Sequence, residues 1–346
     1  MAPQLPPDIN RLLKQVSRSF YLTLRALPAQ VRPQIGLAYL LARTSDTIAD
    51  TSLVSVERKL SALREMRAAI VSIGTGRTAS PPDFGKLAET QAGPAGRGTS
   101  GERVLLERTG EVFEELRNFS REDRQLVCEV LHTITLGQET DLKRFGSASE
   151  GRIHALNTDE DLEEYTYSVA GCVGEFWTRI CRAHLFPRER LDDAALLHDG
   201  VRFGRGLQLA NILRDLPGDL RQGRCYIPAW KLAGAGLAPG DLLDPQTIDR
   251  FRPVYDGYVQ LAREHLAAGW NYIEAVPRGQ VRVRMACAWP ILIGVKTLAL
   301  LSERNVLDNT QRISVSRSEI RRLVLASIVR HPFPRAWKRL FERASR

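Results

Sequence analysis

Residues 39–50 read Tyr39-Leu-Leu-Ala-Arg43-Thr-Ser-Asp46-Thr-Ile-Ala-Asp50. Tyr39, Arg43, Asp46 and Asp50 fall at i, i+4, i+7 and i+11, which is one face of an α-helix. Leu37, Leu41, Thr44 and Ile48 form a neighbouring, mostly apolar stripe that can face a core. The pattern recurs further on. Gly204, Gln208, Asn211 and Asp215 have the same spacings, and Leu209, Ile212 and Leu216 lie on another side. Asp219 follows four residues after Asp215. Of the eighteen Asp residues in the chain, only Asp46/Asp50 and Asp215/Asp219 stand at i, i+4.

Like charges at that spacing weaken a helix by a few tenths of a kcal/mol, roughly, and a bound cation would offset the cost. Carboxylates and an Asn carbonyl are hard oxygen donors. Mg²⁺ prefers such donors, keeps several waters and takes phosphate oxygens in its remaining positions. The candidate metal ligands are therefore Asp46, Asp50, Asn211, Asp215 and Asp219. Arg43, Arg214 and Arg224 are candidates for binding the same phosphates. On spacing alone, a solvated face paired with surface arginines fits each stretch as well, and the recurrence favours a binding site. Pro217-Gly218 predicts that the second helix ends near Leu216. Asp219 would then sit on a turn, behind Asn211 and Asp215.

Working outward, three- and four-residue apolar spacing dominates, and the fold class is all-α. Helices are expected over residues 11–27, 33–50, 56–73, 103–118, 121–145, 159–186, 196–216, 249–275, 282–302 and 317–328. Residues 233–247 are rich in turn formers. The stretch 74–102 is rich in Gly, Pro, Ser and Thr and reads as a flexible insertion within a single domain spanning 1–346. Both polar faces are expected to serve one cavity. A basic tail covers about 330–346, and its apolar residues are spaced for a short amphipathic helix. Such a helix could rest on an anionic membrane or dock on the protein.

The formal net charge of +9 suits anionic partners. No helix-turn-helix, zinc-finger or RNP pattern supports nucleic acid as that partner. The five cysteines are dispersed and form no CxxC, which argues against a disulfide framework and against a zinc site. The N-terminus lacks the apolar run of a signal peptide, and no uninterrupted apolar run reaches the length of a membrane span. The expected location is cytoplasmic, with a peripheral membrane contact as an open alternative.

At this point the residues resemble the squalene/phytoene synthase family, which joins prenyl diphosphates head to head. Ser17-Arg18-Ser19-Phe20 resembles the family's N-terminal motif, and residues 39–50 its first Asp-rich helix. Gly137-Gln138-Glu139-Thr140-Asp141-Leu142 is similar to its GxxxDL stretch. Tyr165 through Gly171 to Gly174 is similar to its YxxxVAGxVG helix. Residues 206–219 with Gly223-Arg224-Cys225-Tyr226-Ile227-Pro228 resemble its second Asp-rich block.

The resemblance implies an isoprenoid synthase fold with a central cavity. It implies Mg²⁺ as cofactor and two farnesyl or geranylgeranyl diphosphates as substrates. It also implies that Ser17, Arg18, Ser19, Phe20, Tyr39, Arg43, Gln208, Arg214 and Arg224 contact substrate, and that Tyr165 assists the cation or a proton transfer. Ala286-Cys287-Ala288-Trp289-Pro290 is similar to a squalene-synthase stretch. It points to farnesyl diphosphate and squalene, with NADPH for the reductive step. The basic patch tied to that step is matched only by Arg312 and Arg317. The alternatives are phytoene, dehydrosqualene or hydroxysqualene, formed without NADPH. More distant is a non-catalytic assembly factor on the same fold. The DDxxD pattern of chain elongases and cyclases does not occur.

Overall fold

The computed structural model describes residues 4–17, 20–51, 54–77, 80–91, 99–308, 310 and 313–344. The chain forms two compact units, residues 1–146 with 176–188 and residues 147–175 with 189–346.

In the first unit, helices α1 (Pro7–Val16), α2 (Phe20–Ala26), α3 (Arg32–Asp50) and α4 (Val56–Gly74) are followed by the shorter α5 (Gly85–Gln91), α6 (Ser100–Glu107) and α7 (Thr109–Arg117). The long α8 (Arg121–Phe145) packs on α3 and α4. Sequence explains the ends of these helices. Pro33 lies in the first turn of α3, where a missing N–H costs nothing. Ser120 caps α8 by accepting from the Asp123 N–H, and Lys143 and Arg144 sit in its last turn, where they oppose the helix dipole. Ile35, Leu37, Leu40, Leu41 and Ile48 of α3 are buried, as the apolar stripe requires. The stretch expected as helix over residues 11–27 is broken after Val16, and the one over 103–118 starts earlier, at Ser100, and breaks at Arg108.

Part of the Gly/Pro-rich segment is anchored. Phe84, Leu87 and Ala88 are buried around α5, and Thr99 with Glu102 forms a capping box at the start of α6. Residues 78, 79 and 92–98 lie outside the described residues.

In the second unit, α9 (Asp159–Thr166) leads into a π-helical turn, Tyr167–Gly171, and then into α10 (Cys172–His184), whose later residues belong to the first unit. The core is built by α11 (Asp193–Arg221), α13 (Ile248–Ala275) and α14 (Val281–Glu303). The short α12 (Ala229–Gly234) precedes α13, and α15 (Arg317–Arg330) and α16 (Pro334–Ala344) complete the unit. A two-residue parallel pair joins β1 (His154–Ala155) to β2 (Arg224–Cys225). Gly223, at φ +79°, makes the turn from α11 into β2, and a Cβ there would lie 2.3 Å from the Ser149 nitrogen.

Helix α11 does not end at Leu216 as the Pro-Gly pair suggested. It continues to Arg221 with Pro217 inside it. Proline removes the N–H that would bond the carbonyl four residues back, which belongs to Leu213. The buried Tyr255 hydroxyl of α13 donates to that carbonyl at 3.1 Å and takes the place of the missing bond. Asp219 is therefore helical and shares a face with Asn211 and Asp215.

Close backbone approach fixes the other side of α11. A Cβ on Gly204 would lie 2.1 Å from the Ala170 carbonyl oxygen, and one on Gly174 would lie 1.9 Å from that of Gly200. Helix α14 is long and apolar enough to cross a bilayer, but 72% of its apolar window is buried, so it serves as a core helix. All five cysteines are buried and unbridged. The apolar side of α16 is docked, with Trp337 and Leu340 buried and both Trp337 and Phe341 stacked on Trp270. That apolar side is consumed by packing and is not free to lie on a membrane.

Candidate functional site

In the first unit, α3 carries Tyr39, Arg43, Asp46 and Asp50 on the face read from the sequence. Phe20 of α2 stacks on Tyr39 at 4.9 Å, and the Tyr39 hydroxyl donates to the Val16 carbonyl at 3.2 Å. Ser17, next to that carbonyl, is buried, and its Oγ has no hydrogen-bond partner among the described residues. The predicted substrate residues Ser17, Phe20 and Tyr39 are thus brought together. Arg18 and Ser19 lie outside the described residues.

Asp46 is a perturbed carboxylate. Burial, and then the charge of Asp50 one turn away, push it up to about 6. Arg43, 3.9 Å away, and the Gln138 amide, which donates to it at 2.5 Å, oppose that rise only in part. Arg43 is held by Glu102 of α6, which the sequence reading missed. Gln138 belongs to the GxxxDL-like stretch of α8, and its neighbour Glu139 accepts from Arg64, Arg67 and Lys143. Arg43 Nε and Gln138 Oε1 are buried and have no hydrogen-bond partner among the described residues. A buried donor and a buried acceptor left in this way cost about 1–3 kcal/mol each, which a ligand oxygen and a metal-bound water would recover.

In the second unit, Asn211 and Asp215 are exposed on one side of α11, with Gln208 and Asp219 half-buried. Arg214 grips Asp215 with two nitrogens, at 2.8 and 2.6 Å. Arg214, Asp215 and Asp219 line a recess of about 530 Å³, together with Arg221, Asp308 and Ile313. Sequence reasoning had singled out none of these last three. Arg224, half-buried, stands on β2 beyond Gly223. Tyr165, at the last turn of α9, stacks on Tyr226 at 4.6 Å. Tyr226 directly follows β2, and β1, the strand paired with β2, leads into α9.

Among the described residues, no three His, Cys, Asp or Glu side chains close around one point. The described residues alone therefore build no cage for a metal. The donor set still fits Mg²⁺, which characteristically uses one or two carboxylates and completes its octahedron with water and phosphate oxygens. In each unit a guanidinium stands beside the acidic pair, as a neutralising partner that phosphate could draw away.

The squalene/phytoene synthase family profile matches residues 13–319. The squalene synthase of Bos taurus is 25% identical over 292 residues, covering 84% of this chain and 62% of the bovine protein. The chain thus spans about three fifths of that relative's length. Chloroplastic phytoene synthase 2 of Solanum lycopersicum is 30% identical over 155 residues, covering 45% of this chain and 46% of the tomato protein. The solved structure of TcSQS with a bound ligand superposes with a TM-score of 0.78 at 20% identity, covering 97% of this chain and 89% of the other. That likeness establishes the all-α isoprenoid synthase fold.

Proposed function

Because the chain belongs to the squalene/phytoene synthase family, we propose that it joins two farnesyl diphosphates head to head, through presqualene diphosphate, to squalene. Ionisation breaks the C1–O bond of one substrate, and the electron pair leaves with the diphosphate. The C2=C3 double bond of the other substrate then bonds to that C1, and loss of a proton closes the cyclopropane. Departure of the second diphosphate, with rearrangement, gives the C30 cation.

Asp46 and Asp50 in the first unit, and Asn211, Asp215 and Asp219 in the second, would hold Mg²⁺, which would supply positive charge to the leaving diphosphate. The chain's own residues do the rest. Arg43, Arg214 and Arg224 take phosphate oxygens and orient the leaving group. Ser17, Phe20 and Tyr39 hold the prenyl substrate. Tyr165, steadied by Tyr226, faces the cation or accepts its proton. One observation carries the reading: the buried Arg43 Nε and Gln138 Oε1 stand without partners among the described residues, beside the paired carboxylates Asp46 and Asp50. Such a cluster is relieved by a cation and an oxyanion together.

The product is the finer question. Squalene requires NADPH. Of the two arginines tied to that step, Arg317 is exposed at the start of α15 and Arg312 lies outside the described residues, so no residue is assigned to the reductant. The similarity to a phytoene synthase over residues of this chain keeps a non-reductive product as the second reading.

The deciding experiment incubates purified protein and Mg²⁺ with farnesyl or geranylgeranyl diphosphate, with and without NADPH, and identifies the hydrocarbon by mass. Squalene formed only with NADPH is the expected result. Dehydrosqualene, hydroxysqualene or phytoene would replace the product assignment, and no condensation with either substrate would remove the reading altogether.

A further inference from the structure

Helix α15 lies on α14 through one side. Ser327 is fully buried there, and Trp289 Nε1 donates to its Oγ at 3.0 Å. The opposite side is apolar and bare. Leu325 is 61% exposed, Ile328 54%, Val329 62%, and Phe333, in the turn to α16, 62%. Positions 325, 328 and 329 lie along one helical stripe, and Phe333 follows in the turn three residues past the end of α15. Large apolar side chains scattered singly on a surface need no explanation, but three in one stripe with a fourth just beyond it do.

The charge along residues 320–341 has a single sign. From Ile320 to Phe341 the chain carries no Asp or Glu, whereas Arg321, Arg322, Arg335, Lys338 and Arg339 are all exposed. An apolar ridge set in exposed cations is the complement of an anionic bilayer, with headgroup phosphates for the arginines and acyl chains for the ridge. A protein partner would need carboxylates and an apolar groove together, and nothing in the stripe favours one particular shape.

We propose that the outer face of α15, with the turn to α16, docks on an anionic lipid surface. The surface is distinct from the apolar side of α16, which is spent on Trp270. The inference does not rest on the proposed reaction, because its deciding readout, flotation with vesicles, contains no substrate.

The full chain is mixed with vesicles of phosphatidylcholine alone, or with about one third phosphatidylglycerol, and bound protein is measured by flotation. Binding is expected on the anionic vesicles, at least about tenfold weaker on the neutral ones, and reduced by salt. Leu325→Ser with Phe333→Ser should lower anionic-vesicle binding about tenfold or more, since each removes apolar area from the acyl region. Arg321→Gln with Arg322→Gln should lower it and flatten its salt dependence. Circular dichroism and turnover of soluble substrate should be unchanged, as these residues lie outside the candidate catalytic machinery. Failure to float with anionic vesicles would overturn the proposal, as would equal binding by the Leu325/Phe333 variant. A chain that is dimeric in solution and made monomeric by that variant would also overturn it, assigning the face to a second copy.

Discussion

Arg214 and Asp215 are adjacent in sequence and form a two-pronged ion pair. An exposed pair of this kind contributes about 0–1 kcal/mol to stability, so its significance lies in ligand exchange. If Arg214 leaves Asp215 for phosphate when the metal arrives, Arg214→Gln should leave the affinity for Mn²⁺, read by electron paramagnetic resonance, equal to or tighter than before. The KM for prenyl diphosphate should rise about tenfold or more, from the loss of charge-assisted hydrogen bonds. Asp46 makes a second case. Its folded pKa of about 6 exceeds the ordinary 3.8, so the folded state binds more protons between those values, and this carboxylate makes the metal-free fold less stable as pH rises through that window. Asp46→Asn should therefore raise the melting temperature of metal-free protein at pH 7 while abolishing turnover, and Asp215→Asn should also abolish turnover. Retained turnover in both variants would count against the metal assignment. These acidic positions were legible because helical periodicity is local. The Glu102 contact with Arg43 was not, since it spans fifty-nine residues and arises at the edge of a Gly/Pro-rich stretch.

Helices α3 and α8 follow the sequence reading closely, because periodicity, a first-turn proline and a serine cap all point the same way. Helix α11 departs from it. Local chemistry stops the helix at Pro217, and the Tyr255 hydroxyl, forty-two residues from the Leu213 carbonyl it meets, overrides that stop. Tyr255→Phe should cost about 1–3 kcal/mol, for a buried carbonyl left without a partner. Amide exchange should speed up selectively over residues 218–221, and Mn²⁺ affinity should fall, because Asp219 would lose its fixed place relative to Asp215. Unchanged exchange there would remove Tyr255 from this role. The glycines of α10 and α11 are a different device. Gly204→Ala would drive a Cβ into the Ala170 backbone, which cannot swing aside as a side chain can. A loss of about 1–3 kcal/mol or more is expected in urea denaturation.

At the scale of the whole molecule, acid stability collects contributions from both units. Burial alone would raise the pKa of Glu139, but hydrogen bonds from Lys143, Arg67 and Arg64 outweigh it and hold the carboxyl at about 2. Its contribution is complete above the ordinary 4.5 and is lost as pH falls toward 2. Burial, with the charges of Arg202 and Arg205, pushes His265 down to about 4, and Arg202 Nε donates to its Nδ1 at 3.3 Å. The unfolded chain binds the extra proton between 6.5 and 4, so stability falls with pH across that window. The melting temperature should begin to drop below about pH 6.5, and His265→Gln should lessen the drop between pH 7 and pH 5. The fold class was legible throughout because nearly every element is an amphipathic helix. The docking of α16 on Trp270 was not, since a basic amphipathic segment has the same pattern whether it meets protein or lipid. The proline in α11 and the tyrosine that stands in for its amide also bear on how this chain can diverge. Replacing either one alone leaves a bare carbonyl or a redundant hydroxyl, so the two positions should be inherited as a couple, changing together or not at all.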